Sequence, residues 1–251
     1  MRTIYLDGQY LRVDEQIIEV FTPGHFKAKG VFETVLGLRR ELLDLDLHMR
    51  RLQIGLKVLG IKPPSINSLI IKEVLRRNHG SFARVRLMVW QAGKQTHVMI
   101  AAMPYKVPQK SIYRVGLIKT NRAANARLAN VKSLDYKLFA NAYALAQLQG
   151  FDEALLLNRR GHIFEASRAN IFWLKDDCLY TPPLTSGCLN GITRQQIIKE
   201  AGSLRIPVQE KVLTPEILKN ADAAFITNSL IGIKVIQIKQ IKIARKAGEL
   251  I

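Results

Sequence analysis

Two rhythms of apolar residues alternate along the chain and divide it into helix-like and strand-like stretches. Over residues 46–60, Leu47, Met49, Leu52, Ile54, Leu56 and Leu59 recur about once per half-turn or turn and stop at Gly60, which predicts a helix. Further helices are predicted over 65–77, over 135–149 (rich in Ala and Leu, closed by Gly150), from Gly191 to about Ala201, and over 214–219, where Pro215 occupies a favoured first-turn position. Residues 3–44 read as short strands, with 31–36 and 41–45 flanking a charged turn. Strands are also predicted over 84–90 and 97–103 around Gln91-Ala92-Gly93, and over 111–119, 153–157, 163–167, 170–174, 178–181, 223–227 and 233–243.

The stretch 104–110 carries two prolines and no periodic pattern. It is predicted to connect a small N-terminal α/β domain, 1–103, to a larger strand-rich domain, 111–251. The fold class is therefore α+β, with many antiparallel strands and few helices. No repeat recurs at a fixed period, and neither G-x-G-x-x-G nor a Walker loop is present, which disfavours nucleotide-binding α/β folds.

Composition narrows the class further. Of 251 residues, 48% are apolar and 23% charged, a globular balance. The longest apolar runs are too short to span a bilayer, and Met1–Leu6 meets Asp7 without an apolar signal core, so a soluble cytoplasmic protein without membrane attachment is expected. Cys178 and Cys188 make no disulfide framework, and the five histidines are scattered, so no metal site is expected. The net charge of +18 favours anionic partners. Nucleic acid is disfavoured, because the basic residues are spread out and no zinc-finger or aromatic RNA-binding signature accompanies them. A solvated basic surface or a small anionic substrate fits the charge.

Several residues can carry chemistry. Lys132, in Asn130-Val131-Lys132-Ser133-Leu134-Asp135, directly precedes an apolar-faced helix. A lysine at a core edge loses its proton more readily, and a neutral amine is what Schiff-base chemistry needs. Lys137, inside the predicted helix, is expected to reach solvent. Strand alternation puts Ile163, Glu165 and Ser167 on one face, with Phe164 and Ala166 on the other. Glu165 is then either a salt-bridge partner or an acid for a heterocyclic nitrogen. Gly191-Ile192-Thr193-Arg194 opens a helix whose free N–H groups could take an anion, or could simply be capped. Thr227-Asn228-Ser229 is a second hydroxyl-rich turn. Arg50 and Arg51 cannot share a helix face, so one can turn inward toward an anion.

Together and in order, these pieces resemble the class IV aminotransferases, the fold-type IV pyridoxal-phosphate enzymes. The resemblance runs from about Gly30 to Ile236. It rests on Gly30-Val31-Phe32-Glu33-Thr34, Leu45-Asp46-Leu47-His48-Met49-Arg50-Arg51-Leu52, Val131-Lys132-Ser133-Leu134-Asp135-Tyr136, the stretch from Asp152 through Phe172, Thr181-Pro182-Pro183-Leu184, and Gly187-Cys188-Leu189-Asn190-Gly191-Ile192-Thr193-Arg194. It implies a two-domain fold like that of D-amino acid aminotransferase, a homodimer, and pyridoxal 5′-phosphate held as a Schiff base on Lys132. It matches Glu165 to the acid at the pyridine nitrogen. Arg51, the N–H groups of Ile192 and Thr193, and Ser229 match the phosphate cradle, and Tyr136 a tyrosine at the ring hydroxyl.

Within the family, Phe32 and the string 187–195 resemble 4-amino-4-deoxychorismate lyase, which releases p-aminobenzoate and pyruvate. In that reaction the substrate amine would displace Lys132, which would then act as general base and acid. The alternative is a branched-chain or D-amino acid transaminase. Trp90–His97 lacks the Arg-x-His loop of D-amino acid members. A non-enzymatic basic binding protein of the same fold would be favoured only if Lys132 or Glu165 were missing. The lead-in Gly24–Lys29 departs from the family's glycine-rich pattern, at a segment that bears on specificity.

Overall fold

The computed structural model describes residues 1–78, 81–123, 128–237 and 242–243. The chain divides into two compact units, one formed by Met1–Pro108 with Val131–Lys137, the other by Gln109–Asn130 with Leu138–Ile251. Helices and sheets are both present, as the α+β pattern requires. Among the described residues no helix is long and apolar enough to cross a membrane.

The first unit contains β1 (Arg2–Leu6), β2 (Gln9–Val13), α1 (Glu15–Val20), β3 (Lys29–Leu38), β4 (Glu41–Leu42), α2 (Leu45–Leu59), α3 (Ser68–Asn78), β5 (Phe82–Ala92) and β6 (Gln95–Pro104). Its strands form one antiparallel sheet in the order β2-β1-β6-β5-β3-β4. Alternation along β3 sends Val31 and Val35 to one face, where Leu52 and Leu56 of α2 and Ile71, Val74 and Leu75 of α3 bury them. The opposite face, with Phe32, Met88 and Trp90, packs with Ile18 of α1 and with Leu134. Gly55 lets α2 come unusually close to β3. A Cβ there would sit 2.9 Å from Val31 Cγ1.

The second unit contains β7 (Ile112–Tyr113), β8 (Val115–Lys119), α4 (Lys137–Leu148, whose first residue groups with the first unit), β9 (Glu153–Leu157), β10 (Ile163–Ala166), β11 (Asn170–Lys175), β12 (Cys178–Thr181), α5 (Ile192–Ser203), β13 (Val208–Glu210), α6 (Pro215–Lys219), β14 (Ala223–Asn228), β15 (Gly232–Ile236) and β16 (Lys242–Ile243). One sheet runs β10-β9-β8-β16, the other β13-β12-β11-β14-β15-β7. Leu117, Leu155, Leu157, Ile171, Trp173 and Ile226 form the core shared by both sheets. The outer face of the six-stranded sheet, with Phe172 and Phe225, is covered by Ile197, Ile198 and Ala201 of α5.

The structure corrects several sequence expectations. The region 3–44 contains α1 as well as strands, and Leu45 begins α2 rather than ending a strand. The 111–119 strand is broken at Arg114 into β7 and β8. The 233–243 strand is represented by β15 and β16, and residues 238–241 of that expectation lie outside the described residues. The segment carrying Lys132 was expected in the second domain. It groups with the first unit because its backbone hydrogen-bonds to β3: Phe32 N–H donates to Lys132 O at 3.0 Å, and Leu134 N–H to Gly30 O at 2.9 Å. Finally, β10 does not alternate simply. Its register with β9 shifts between Ile163 and Glu165, so Ile163 and Ala166 share the core face while Glu165 stands opposite Leu156.

Candidate active site

On the first unit, Lys132 is half-buried, with its backbone held along β3 as described. Its Nζ lies 4.4 Å from the ring centre of Phe32 and 5.8 Å from that of Tyr136. The two rings meet edge-on at 5.3 Å. The electron-rich ring face attracts a lysine head group and keeps it over apolar surface. Lys137, the local rival, opens α4 and is exposed. The structure therefore brings Lys132 and Tyr136 together, with Phe32, which the sequence singled out only for its resemblance to lyase members, as a further contact.

Arg51 has a different neighbourhood. Of the two adjacent arginines, Arg50 is exposed and Arg51 turns inward. Its Nε donates to Glu33 Oε1 at 2.7 Å and its Nη2 to Glu33 Oε2 at 2.6 Å. His48 Nδ1 lies 2.7 Å from the same Oε2. Glu33 is 1% exposed, and burial alone would push its pKa up. The Arg51 charge and the hydrogen bonds from Arg51 and His48 outweigh burial and bring it from 4.5 to about 2. An ionised carboxylate only accepts, so His48 Nδ1 carries the proton in this pair. Sequence reading missed Glu33 and His48 as site residues. The signal was there: Glu33 shares the buried face of β3 with Val31 and Val35, and His48 and Arg51 lie one turn apart on α2.

On the second unit, the bulge in β10 directs Glu165 away from the core face, where it remains 5% exposed. Its Oε2 accepts the Leu189 N–H at 3.0 Å. Burial, and then the Glu165 charge, push the neighbouring Cys188 thiol up to about 12, so it remains a neutral packing residue. Leu189 lies just before α5. Its carbonyl accepts from Asn170 Nδ2 at 2.8 Å. Asn170 Oδ1 would lie only 2.1 Å from a Cβ at Gly191, so any larger residue at this N-cap would force the Asn170 side chain to shift.

The first bond of this helix runs from Gln195 N–H to Gly191 O, at 3.0 Å. The N–H groups of Ile192, Thr193 and Arg194 precede it and have no acceptor within the helix. Thr227 on β14 pairs directly with Asn170 on β11, so both side chains share one sheet face. Thr227 is 1% exposed, and its Oγ1 has no hydrogen-bond partner among the described residues. Ser229, half-buried, sits in the following turn, which Asn228 fixes by accepting the Leu230 and Ile231 N–H groups at 2.8 and 3.0 Å. Sequence reading named Ile192, Thr193 and Ser229 as site residues, but Thr227 only as part of a hydroxyl-rich turn and Asn170 only within a motif, because their pairing spans distant strands.

The donor sets suit pyridoxal 5′-phosphate. A helix N-terminus beside an unsatisfied buried hydroxyl is short of an acceptor, which a phosphate would supply. A buried carboxylate close to the same helix can hold a pyridine nitrogen protonated, and an amine above aromatic rings suits a carbonyl partner.

Comparison with known proteins agrees with this cofactor. The family model for amino-transferase class IV matches residues 30–241. The aminodeoxychorismate lyase of Bacillus subtilis (strain 168) is 28% identical over 98% of this chain and 90% of its own. The branched-chain aminotransferase of Thermoproteus uzoniensis, solved with norvaline, superposes with a TM-score of 0.81 at 29% identity, covering 94% of this chain and 86% of that one. A T.th. branched-chain amino acid aminotransferase, solved with pyridoxamine 5′-phosphate, gives a TM-score of 0.80 at 26% identity, covering 99% of this chain and 88% of that one.

Proposed function

Because the chain belongs to the class IV amino-transferase family, we propose that it is a pyridoxal 5′-phosphate enzyme that converts 4-amino-4-deoxychorismate to p-aminobenzoate and pyruvate. The observation that carries the enzymatic reading is the Lys132 amine, held by a pinned backbone 4.4 Å from the Phe32 ring centre. The lyase reading is supported by the string Gly187–Gln195 and by the Bacillus subtilis relative.

When bound, the cofactor supplies a carbonyl for the amine and an electron-poor ring that draws electrons from the carbon bearing the substrate nitrogen. Lys132 anchors it. With the cofactor bound, Lys132 Nζ would take the proton from that ring carbon and return one to the methylene carbon of the departing pyruvate. Glu165 would keep the pyridine nitrogen protonated, and Tyr136 would meet the ring hydroxyl. Arg51, the Ile192 and Thr193 N–H groups, and the hydroxyl of Ser229 take the phosphate. Aromatisation of the product ring drives the elimination, and the +18 charge attracts a substrate with two carboxylates. We place the enzyme in the cytoplasm as a homodimer.

Relatives named as branched-chain-amino-acid aminotransferases support a second reading, amino acid transamination. The test offers aminodeoxychorismate without any 2-oxo acid, and separately branched-chain amino acids with 2-oxoglutarate. Equal amounts of p-aminobenzoate and pyruvate, with the cofactor left in its aldehyde form, are expected. Glutamate formed from 2-oxoglutarate, with no turnover of aminodeoxychorismate, would establish the transaminase instead.

A further inference from the structure

The trio of buried Glu33 and His48 with half-buried Arg51 stands apart from Lys132 in purpose. Glu33 is an anion at every working pH, because its pKa is held at about 2. It uses both oxygens on one arginine and receives His48 Nδ1–H on one of them. A carboxylate that merely neutralised a buried arginine would need neither the two-point geometry nor the histidine. The fork between Nε and Nη2 fixes the plane of the guanidinium, and His48 fixes the carboxylate. His48 is itself 1% exposed, so the chain has placed two buried polar groups behind one arginine that is only 13% exposed.

We infer that Glu33 and His48 are positioning residues that set the affinity of Arg51 for the phosphoryl end of the cofactor. This rests on the reading of Arg51 as a phosphate-binding residue. A pre-oriented guanidinium loses less freedom on meeting an anion, so the effect falls on the phosphate and not on the ring. Supporting partners behind a binding residue commonly change affinity by about tenfold or more.

The test measures dissociation constants of the apoenzyme for pyridoxal 5′-phosphate and for pyridoxal, which lacks the phosphate, by absorbance titration. Glu33→Gln should weaken the phosphorylated form about tenfold or more and leave pyridoxal within about twofold. His48→Asn, whose amide can replace the Nδ1–H donor, should keep the wild-type preference, whereas His48→Leu should lose much of it. Equal weakening of both ligands by Glu33→Gln and His48→Leu would show general damage and overturn the inference, as would no change in either. Arg51→Leu is the control. If it abolishes the preference while Glu33→Gln and His48→Leu preserve it, the positioning role fails and the phosphate reading of Arg51 stands. If Arg51→Leu keeps the preference, the phosphate reading fails and the positioning role falls with it. Should Glu33→Gln not fold, the two His48 variants decide the question.

Discussion

Thr227 and Asn170 face each other across β14 and β11, and while Asn170 bonds the Leu189 carbonyl, the Thr227 hydroxyl is buried with no partner among the described residues. An unsatisfied buried hydroxyl costs stability until a ligand pairs with it. Thr227→Val keeps the shape and removes the group. The apoenzyme should gain about 1 kcal/mol, while affinity for pyridoxal 5′-phosphate falls about tenfold. Thermal melts with and without cofactor check this. A variant less stable without cofactor and unchanged in affinity would mean the hydroxyl has a structural partner instead.

Gly191→Ala tests the same corner by filling it. The new Cβ would meet Asn170 Oδ1 at 2.1 Å, so the carboxamide must shift, which strains its Nδ2 bond to the Leu189 carbonyl. A loss of about 1–3 kcal/mol of stability is expected, with weaker cofactor binding. Denaturant midpoints together with cofactor titration measure both effects. Wild-type values for both would show that Asn170 can move aside freely.

Glu33 has a folded-state pKa of about 2 against 4.5 in the free residue. Because the folded value is depressed, the stabilisation is fully present above about pH 4.5 and is lost as pH falls toward 2. It amounts to about 3 kcal/mol. Denaturant midpoints measured between about pH 6 and pH 3 should fall more steeply in the wild type than in Glu33→Gln. Glu73, also held at about 2 by Arg76 and Arg77, contributes equally to both proteins and cancels in the comparison. Parallel acid limbs would count against the low pKa of Glu33.

Local pattern made much of this molecule legible. The spacing of Leu52 and Leu56 and the stop at Gly60 marked α2, and the bounds of β9 and β12 followed from their apolar runs. The short α1, rich in β-branched Ile and Val, gave no helical stripe. The shared face of Ile163 and Glu165 that alternation predicted does not occur, since alternation cannot foresee the bulge after Ile163. Lys132, Glu165 and the start of α5 stood out through motifs. The pairing of Asn170 with Thr227 did not, because it arises only when two strands far apart in sequence meet at that register. Glu33 and His48 were visible as a charge in an apolar strand and a helical i, i+3 pair with Arg51, but the partnership needed Gly55 to bring α2 against β3.

The anchoring role of Lys132 is tested most directly by reducing the cofactor-loaded enzyme with borohydride, digesting it and locating the pyridoxyl group by mass spectrometry. The expected result is a single modified peptide with the added mass on Lys132, and neither the adduct nor the visible absorption band in Lys132→Ala. An adduct of equal yield on another lysine, surviving in Lys132→Ala, would contradict it.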